Sequence, residues 1–218
     1  MLIHGYERKI EPGADLSFAN LYNTNLHNVN LSGADLRVSN LSFADLRDAD
    51  LSGANLSGAA MHSTNLWRAD LCAAELRNTD LRGANLKKTD FSSANLWGAN
   101  LSGAYLCGAD LNGAYLYGAC LRDANLKGVS LHDTAGLMLI GTRSDGYDFY
   151  AVQHDTTLMI KAGCHWFTLA EAYAHWSTAR PIGTQLGDES RMILDHGVAR
   201  IALLTKHGAW STHNLSAD

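Results

Sequence analysis

Cys164, His165, His175 and His196 are the residue types that could supply a nucleophile with its base, or the ligands of a zinc ion. Cys164 and His165 are adjacent in the chain, whereas a nucleophile and its base normally meet through the fold. The spacings within the group match no established zinc pattern. The sequence holds no G-x-S-x-G, no P-loop and no H-E-x-x-H. Hydroxyls such as Ser52 and Ser92 have no partner base in view and read as solvated surface. The expectation is a chain that is not an enzyme, with no catalytic residues, metal or cofactor. A more regular set is made of carboxylates: Asp50, Asp70, Asp90 and Asp110 recur every 20 residues. A line of negative charge is binding chemistry, and its use depends on whether the backbone brings the four onto one surface.

The backbone must follow an unusual period. From Leu16 to Leu131 every fifth residue is Leu, except Met61 and Phe91, which makes 24 consecutive positions. Two residues before each stands a small or short side chain: 17 Ala, four Thr, two Val and Ser39. The residue between them is Asp or Asn in 18 of the 24. A period of five fits neither an α-helix at 3.6 nor a flat strand at 2. It needs a chain that turns at regular intervals, so that each Leu returns to a central axis. Stacked coils about 4.8 Å apart satisfy this, and Gly is frequent two residues after the Leu, as at Gly33, Gly53 and Gly58, where a tight turn favours it.

Residues 14–134 resemble the pentapeptide-repeat family on this pattern, of which Ala44 to Ala59 (ADLRDADLSGANLSGA) is a sample. The resemblance implies a mainly β fold, a right-handed four-sided β-helix with four pentapeptides per coil. About six coils would then rise roughly 29 Å. Residues 20 apart would lie above one another, and the column Asn30, Asp50, Asp70, Asp90, Asp110, Ser130 would stack four aspartates on consecutive coils. The adjacent face carries Arg47, Arg68, Lys87, Lys88 and Lys127. Members of this family are known for mimicking duplex DNA and binding type II topoisomerases, which implies a protein partner for the acidic column. The plainer reading is that Asp in this register bonds to nearby backbone N–H groups. Trp97 and Tyr117 would stack on coils five and six with Tyr115 beside them, while Trp67 and Tyr105 point outward on the basic face. Exposed aromatics mark contact surfaces, and those near the end of the repeats suit docking of the C-terminal segment. The expected partner-binding set is Asp50, Asp70, Asp90, Asp110, Trp67, Trp97, Tyr115 and Tyr117.

Composition bounds the partners. The 218 residues are 46% apolar and 18% charged, with a net charge of −5. That balance suits a folded core and argues against general binding to nucleic acid or an anionic membrane. No apolar run is long enough to span a bilayer and no export signal is evident. The four cysteines form no CxxC pair, so reduced thiols in a cytoplasm are expected.

Residues 1–13 are expected to cap the first coil, and residues 135–218 to form a small α+β module for capping or interaction. LMLIG from Leu137, YDFYAVQH from Tyr147 and TTLMIKAG from Thr156 read as strands, with Asp145-Gly146 a hairpin turn. Thr168 and Glu171 form a capping box for a helix to about Trp176, and Asp188 caps a second helix ending near Gly208. This segment resembles the tails of phage and prophage pentapeptide-repeat proteins around AGCHWFTLAEA and the HG-x-x-R of His196 to Arg200. The second helix carries Met192, Ile193, Leu194, Val198, Ile201, Leu203 and Leu204, more apolar residues than one buried face needs, and these are expected to join a homodimer. The sequence reading is a cytoplasmic protein-binding module, a DNA-mimic inhibitor or protector of a topoisomerase or a phage-defence nuclease. Its alternative is a rigid scaffold with a dimerising or partner-binding module and no mimicry. An enzyme with its site in that module ranks third.

Overall fold

The computed structural model describes residues 2–3, 6–7, 9–144, 148–154, 157–162, 165–178 and 183–206. The chain divides into two compact units, Met1–Thr134 and Ala135–Asp218.

In the first unit every pentapeptide closes a turn. The amide three residues after the central Leu donates to that Leu's carbonyl, as from Ala19 to Leu16 at 3.1 Å and from Ala104 to Leu101 at 3.0 Å. The residue two past the centre has a positive φ in all 24 repeats, between 52° and 69°. This is the geometry of a type II turn. Only ten of the 24 are glycines. The sequence points to glycine at this step; the structure shows the same conformation forced on fourteen other residues, among them Val38 and Phe43.

Each coil pairs with the next through parallel bridges between residues 20 apart, from Asp15↔Asp35 to Asp110↔Ser130. Leu16 N donates to Asp35 O at 2.7 Å, Phe18 N to Arg37 O at 2.9 Å, and Asp35 N returns a bond to Ala14 O at 2.9 Å. A step of 20 residues is four pentapeptides, so 24 make six coils of a right-handed four-sided β-helix. The central leucines are almost all fully buried, and Met61 and Phe91 fill their places equally well. Burying each contributes about 1.5–3 kcal/mol. In coils three and four, where Thr replaces the inward Ala, its hydroxyl finds a carbonyl one coil below: Thr64 to Leu41 at 2.8 Å, Thr79 to Leu56 at 2.9 Å, Thr89 to Leu66 at 2.7 Å. A buried hydroxyl needs such a partner, and here it adds a tie between coils. Two short antiparallel strands precede the coils, β1 (Leu2–Ile3) and β2 (Tyr6–Glu7).

The second unit is a four-stranded antiparallel meander, β3 (Leu137–Thr142), β4 (Asp148–His154), β5 (Thr157–Ala162) and β6 (His165–Thr168), followed by α1 (Leu169–Thr178) and α2 (Gln185–Lys206). Alternate residues of β4 and β5, Phe149 and Ala151 against Ile160 and Ala162, face a core completed by Ala172, Trp176, Ile193, Leu194 and Ile201. The period of two puts these four on one face, and Tyr150 and Lys161 on the opposite face are buried as well. Gly141 lies at an irregularity in the β3–β4 register, and a Cβ there would stand 2.7 Å from Ile193 Cγ2, so glycine permits the close approach of α2.

Thr168 and Glu171 form the expected reciprocal cap: Glu171 N donates to Thr168 Oγ1 at 3.2 Å, and Thr168 N to Glu171 Oε2 at 2.7 Å. That bond to the backbone amide of Thr168 holds the Glu171 carboxyl below its ordinary value. Two details differ from the sequence reading. His165–Thr168 pairs with β5 as a fourth strand. The cap of α2 is Thr184, whose Oγ1 accepts from Gly187 N at 3.3 Å, while Asp188 sits inside the first turn and its Oδ1 accepts from Gly183 N at 3.0 Å. The Asp145-Gly146 turn and Cys164 lie outside the described residues. Among the described residues no helix is long and apolar enough to cross a membrane.

Candidate protein-interaction surface

The four panels of the tower are named first to fourth by the central residues of the first coil, Leu16, Leu21, Leu26 and Leu31. On the fourth panel Asp50, Asp70, Asp90 and Asp110 are joined in register by successive bridges. The carboxylates therefore form a ladder with rungs about 4.8 Å apart. Each Oδ1 accepts the amide two residues on, from Ser52 at 3.0 Å, Cys72 at 2.8 Å, Ser92 at 2.8 Å and Asn112 at 2.9 Å. The local turn-capping role expected of Asp is thus present in all four.

This column differs from Asp35, Asp45 and Asp80 in that, among the described residues, no cation is paired with it. Asp35, Asp45 and Asp80, on the other three panels, each bind the arginine two residues on, with Arg37 and Arg47 at 2.6 Å and Arg82 at 2.7 Å. Those side-chain bonds hold the three carboxyls below their ordinary range. Asp48 takes Arg68 at 3.3 Å. Among the described residues no ion pair reaches Asp50, Asp70, Asp90 or Asp110. Arg68 and Lys88 stand at the corner between the third and fourth panels, and Arg68 turns to Asp48. The uncompensated charges come once per ~4.8 Å, against one per ~3.4 Å along a single DNA strand, so the ladder carries roughly 0.7 of one strand's linear charge.

The predicted aromatics are not brought onto that panel; they flank it. Trp97 and Tyr115 are exposed and Tyr117 half-buried on the first panel at coils five and six, with the Arg77 guanidinium 4.9 Å from the Trp97 ring centre. Trp67 is half-buried on the third panel beneath Arg68, 4.9 Å from its ring centre, and Lys87 Nζ stands 5.5 Å from that of Tyr105.

In the second unit, Ile193, Leu194 and Ile201 are buried in the module's own core. They are core residues rather than an association face, because α2 packs that side on the sheet. Met192 is exposed and Val198 half-buried. The side chains of Leu203, Leu204 and His165 lie outside the described residues. His175 is exposed and its ring lies against Phe167 and Trp176, 4.9 Å between centres in each case, so it belongs to an aromatic cluster; His196 is also exposed.

One surface escaped the sequence reading. On coils one to three the second panel shows Phe18 63%, Val38 54%, Tyr22 52% and Phe43 49% exposed. Tyr22, Phe43 and His62 stack edge to face, with centres 5.6 and 5.1 Å apart. Phe18, Val38 and Phe43 occupy left-handed turn positions at φ 58°, 55° and 61°. Such a conformation costs a residue with a Cβ about 1–2 kcal/mol, and is most unusual for a β-branched one. The signal was available in the column two past each Leu, where ten repeats carry glycine and these three carry bulky apolar groups.

Comparison with known proteins follows the repeats. A family model of pentapeptide repeats, in eight copies, matches residues 14–53, 39–74, 54–92 and 89–128. Among solved structures the chain is similar to HetL of the cyanobacterium Nostoc sp. strain PCC 7120, a pentapeptide repeat protein involved in heterocyst differentiation regulation. Identity is 37% over 56% of this chain and 51% of HetL, with a TM-score of 0.50, so the chain spans about half of that relative. Rfr23 of the cyanobacterium Cyanothece 51142 is 33% identical over 52% of this chain and 85% of its own, with a TM-score of 0.24. QnrB1, a plasmid-mediated fluoroquinolone resistance protein, is 20% identical over 53% of this chain and 78% of its own, with a TM-score of 0.32. No curated protein matches the chain. With its pentads matched from residue 14 to residue 128 and its coils closing every 20 residues, the chain belongs to the pentapeptide repeat family.

Proposed function

We propose that the protein is a non-catalytic binding module whose fourth panel occupies the DNA-binding surface of a nucleic-acid enzyme, a topoisomerase or a phage-defence nuclease. One observation carries this reading: Asp50, Asp70, Asp90 and Asp110 are aligned and form no ion pair among the described residues, whereas Asp35, Asp45 and Asp80 are each paired with an arginine. A rigid ladder of carboxylates offers a phosphate-binding cleft its expected charge without the ordering cost of a flexible chain. The described cysteines Cys72, Cys107 and Cys120 are free thiols, in keeping with action in a reducing cytoplasm.

The test is capture from a host lysate with the chain immobilised, in the presence and absence of duplex DNA. A nucleic-acid enzyme that is retained, and released by DNA, supports the reading. Capture insensitive to DNA rejects mimicry. It would favour the scaffold alternative, in which the module carries the contact.

A further inference from the structure

We infer that the second panel of coils one to three is a self-association surface, and that its occupant is a second copy of this chain. Two costs meet there. Val38 and Phe43 hold left-handed backbone where ten sister turns use glycine, and they present about half of their apolar surface to water. Tyr22 extends the strip beside Phe43, and Phe18 lies one coil below Val38. Neither the strain nor the exposure serves the core, because the inward and central residues of this panel, Ala19, Leu21, Ser39, Leu41, Ala59 and Met61, are already buried.

The choice of a second copy follows from charge and area. A two-fold contact sets each residue against the same patch of its partner, so like charges would oppose one another. This is the one panel without a charged residue in its outward columns over coils one to three: Asn20, Asn40 and Ala60 run up the middle, between the apolar corners. The first, third and fourth panels of the same coils carry Asp35, Asp45 and Asp50. The exposed apolar area amounts to roughly 400 Å², taking about 200 Å² for an aromatic side chain. That is the apolar centre expected of an interface burying about 800 Å² per partner. In a four-sided coil the second panel lies opposite the fourth, so a dimer built this way leaves both acidic ladders facing outward. The inference stands independently of the target proposed for that ladder.

Sedimentation velocity of the full chain at micromolar concentration tests it, with two variants. Val38→Gly/Phe43→Gly removes the apolar groups at positions whose backbone suits glycine, so the melting temperature should hold or rise while the dimer is lost. Asn40→Asp places like charges across the two-fold; Asp occupies eight of the 24 equivalent positions, so the coil accepts it, and the dimer should weaken roughly tenfold or more. A wild-type monomer overturns the inference. A wild-type dimer that persists unchanged in both variants overturns it too, since association then lies elsewhere. Failure here leaves DNA-competed capture intact, and failure of that capture leaves the dimer intact.

Discussion

Replacing Asp50, Asp70, Asp90 and Asp110 together by Asn separates the two roles that these residues combine. The structure already contains the product of such a change one coil earlier: Asn30 Oδ1 accepts from Ser32 N at 2.9 Å and from Ser32 Oγ at 2.7 Å, against 3.0 and 2.6 Å for Asp50 with Ser52. The turns therefore survive. Neighbouring carboxylates about 4.8 Å apart in water repel by about 0.9 kcal/mol, and physiological salt reduces this to about 0.5. Relief over three neighbouring pairs amounts to about 1.5 kcal/mol. Conversion of four charge-assisted turn bonds to neutral ones costs about 0.5–1 kcal/mol each, or about 2–4 in all. Folding stability should thus fall by about 0.5–2.5 kcal/mol, a shift of several degrees in thermal unfolding that leaves the chain folded. Binding has no such compensation. Each lost pair with a cation of the target weakens it by about 0.2–1 kcal/mol if hydrated, and by about 1.5 or more if desolvated. Affinity for the captured enzyme, titrated at low and at physiological salt, should fall at least about fourfold, and its salt dependence should flatten. A folded variant that binds within twofold of wild type, with the salt response intact, would refute the reasoning.

Three further outcomes test the packing. Gly141→Ala sets a Cβ 2.7 Å from Ile193 Cγ2, and should destabilise the second unit by about 1–3 kcal/mol, read by chemical denaturation. Thr79→Val keeps the shape but removes the 2.9 Å bond to Leu56 O, and a loss of about 1 kcal/mol is expected in the same assay. The Tyr173 hydroxyl donates to Asp195 at 2.7 Å, and desolvation followed by that bond raises its pKa to about 12. Between the ordinary value of 10 and about 12 the folded chain keeps a proton that the unfolded chain loses. Stability therefore falls with pH across that window, and Tyr173→Phe should flatten the slope.

The tower was legible because one residue type at one period leaves a single solution: Leu at every fifth place must converge on an axis, and the bridges at 20 residues follow. The acidic ladder could be counted for the same reason. The neutralised acids were legible in principle, since Asp35 and Arg37 are separated by one residue, but only geometry shows a forked bond formed there and none at Asp50. The second-panel patch was hidden because its residues occupy a column where turn chemistry, rather than hydropathy, draws the eye. In the second unit the capping box at Thr168 was readable as a local motif, whereas β6 was obscured. His165 to Thr168 is too short to show alternation, and its pairing with β5 is a tertiary fact. The apolar excess of α2 misled for a related reason: Ile193, Leu194 and Ile201 are drawn inward by the sheet, which a helical wheel does not contain.

The most direct test of the acidic panel is competition. With the captured enzyme held at fixed concentration, duplex DNA and this chain should exclude one another, each raising the apparent dissociation constant of the other in proportion to its own concentration. A ternary complex, with DNA and chain bound together at undiminished affinity, would contradict the assignment of the Asp50–Asp110 column to a DNA site.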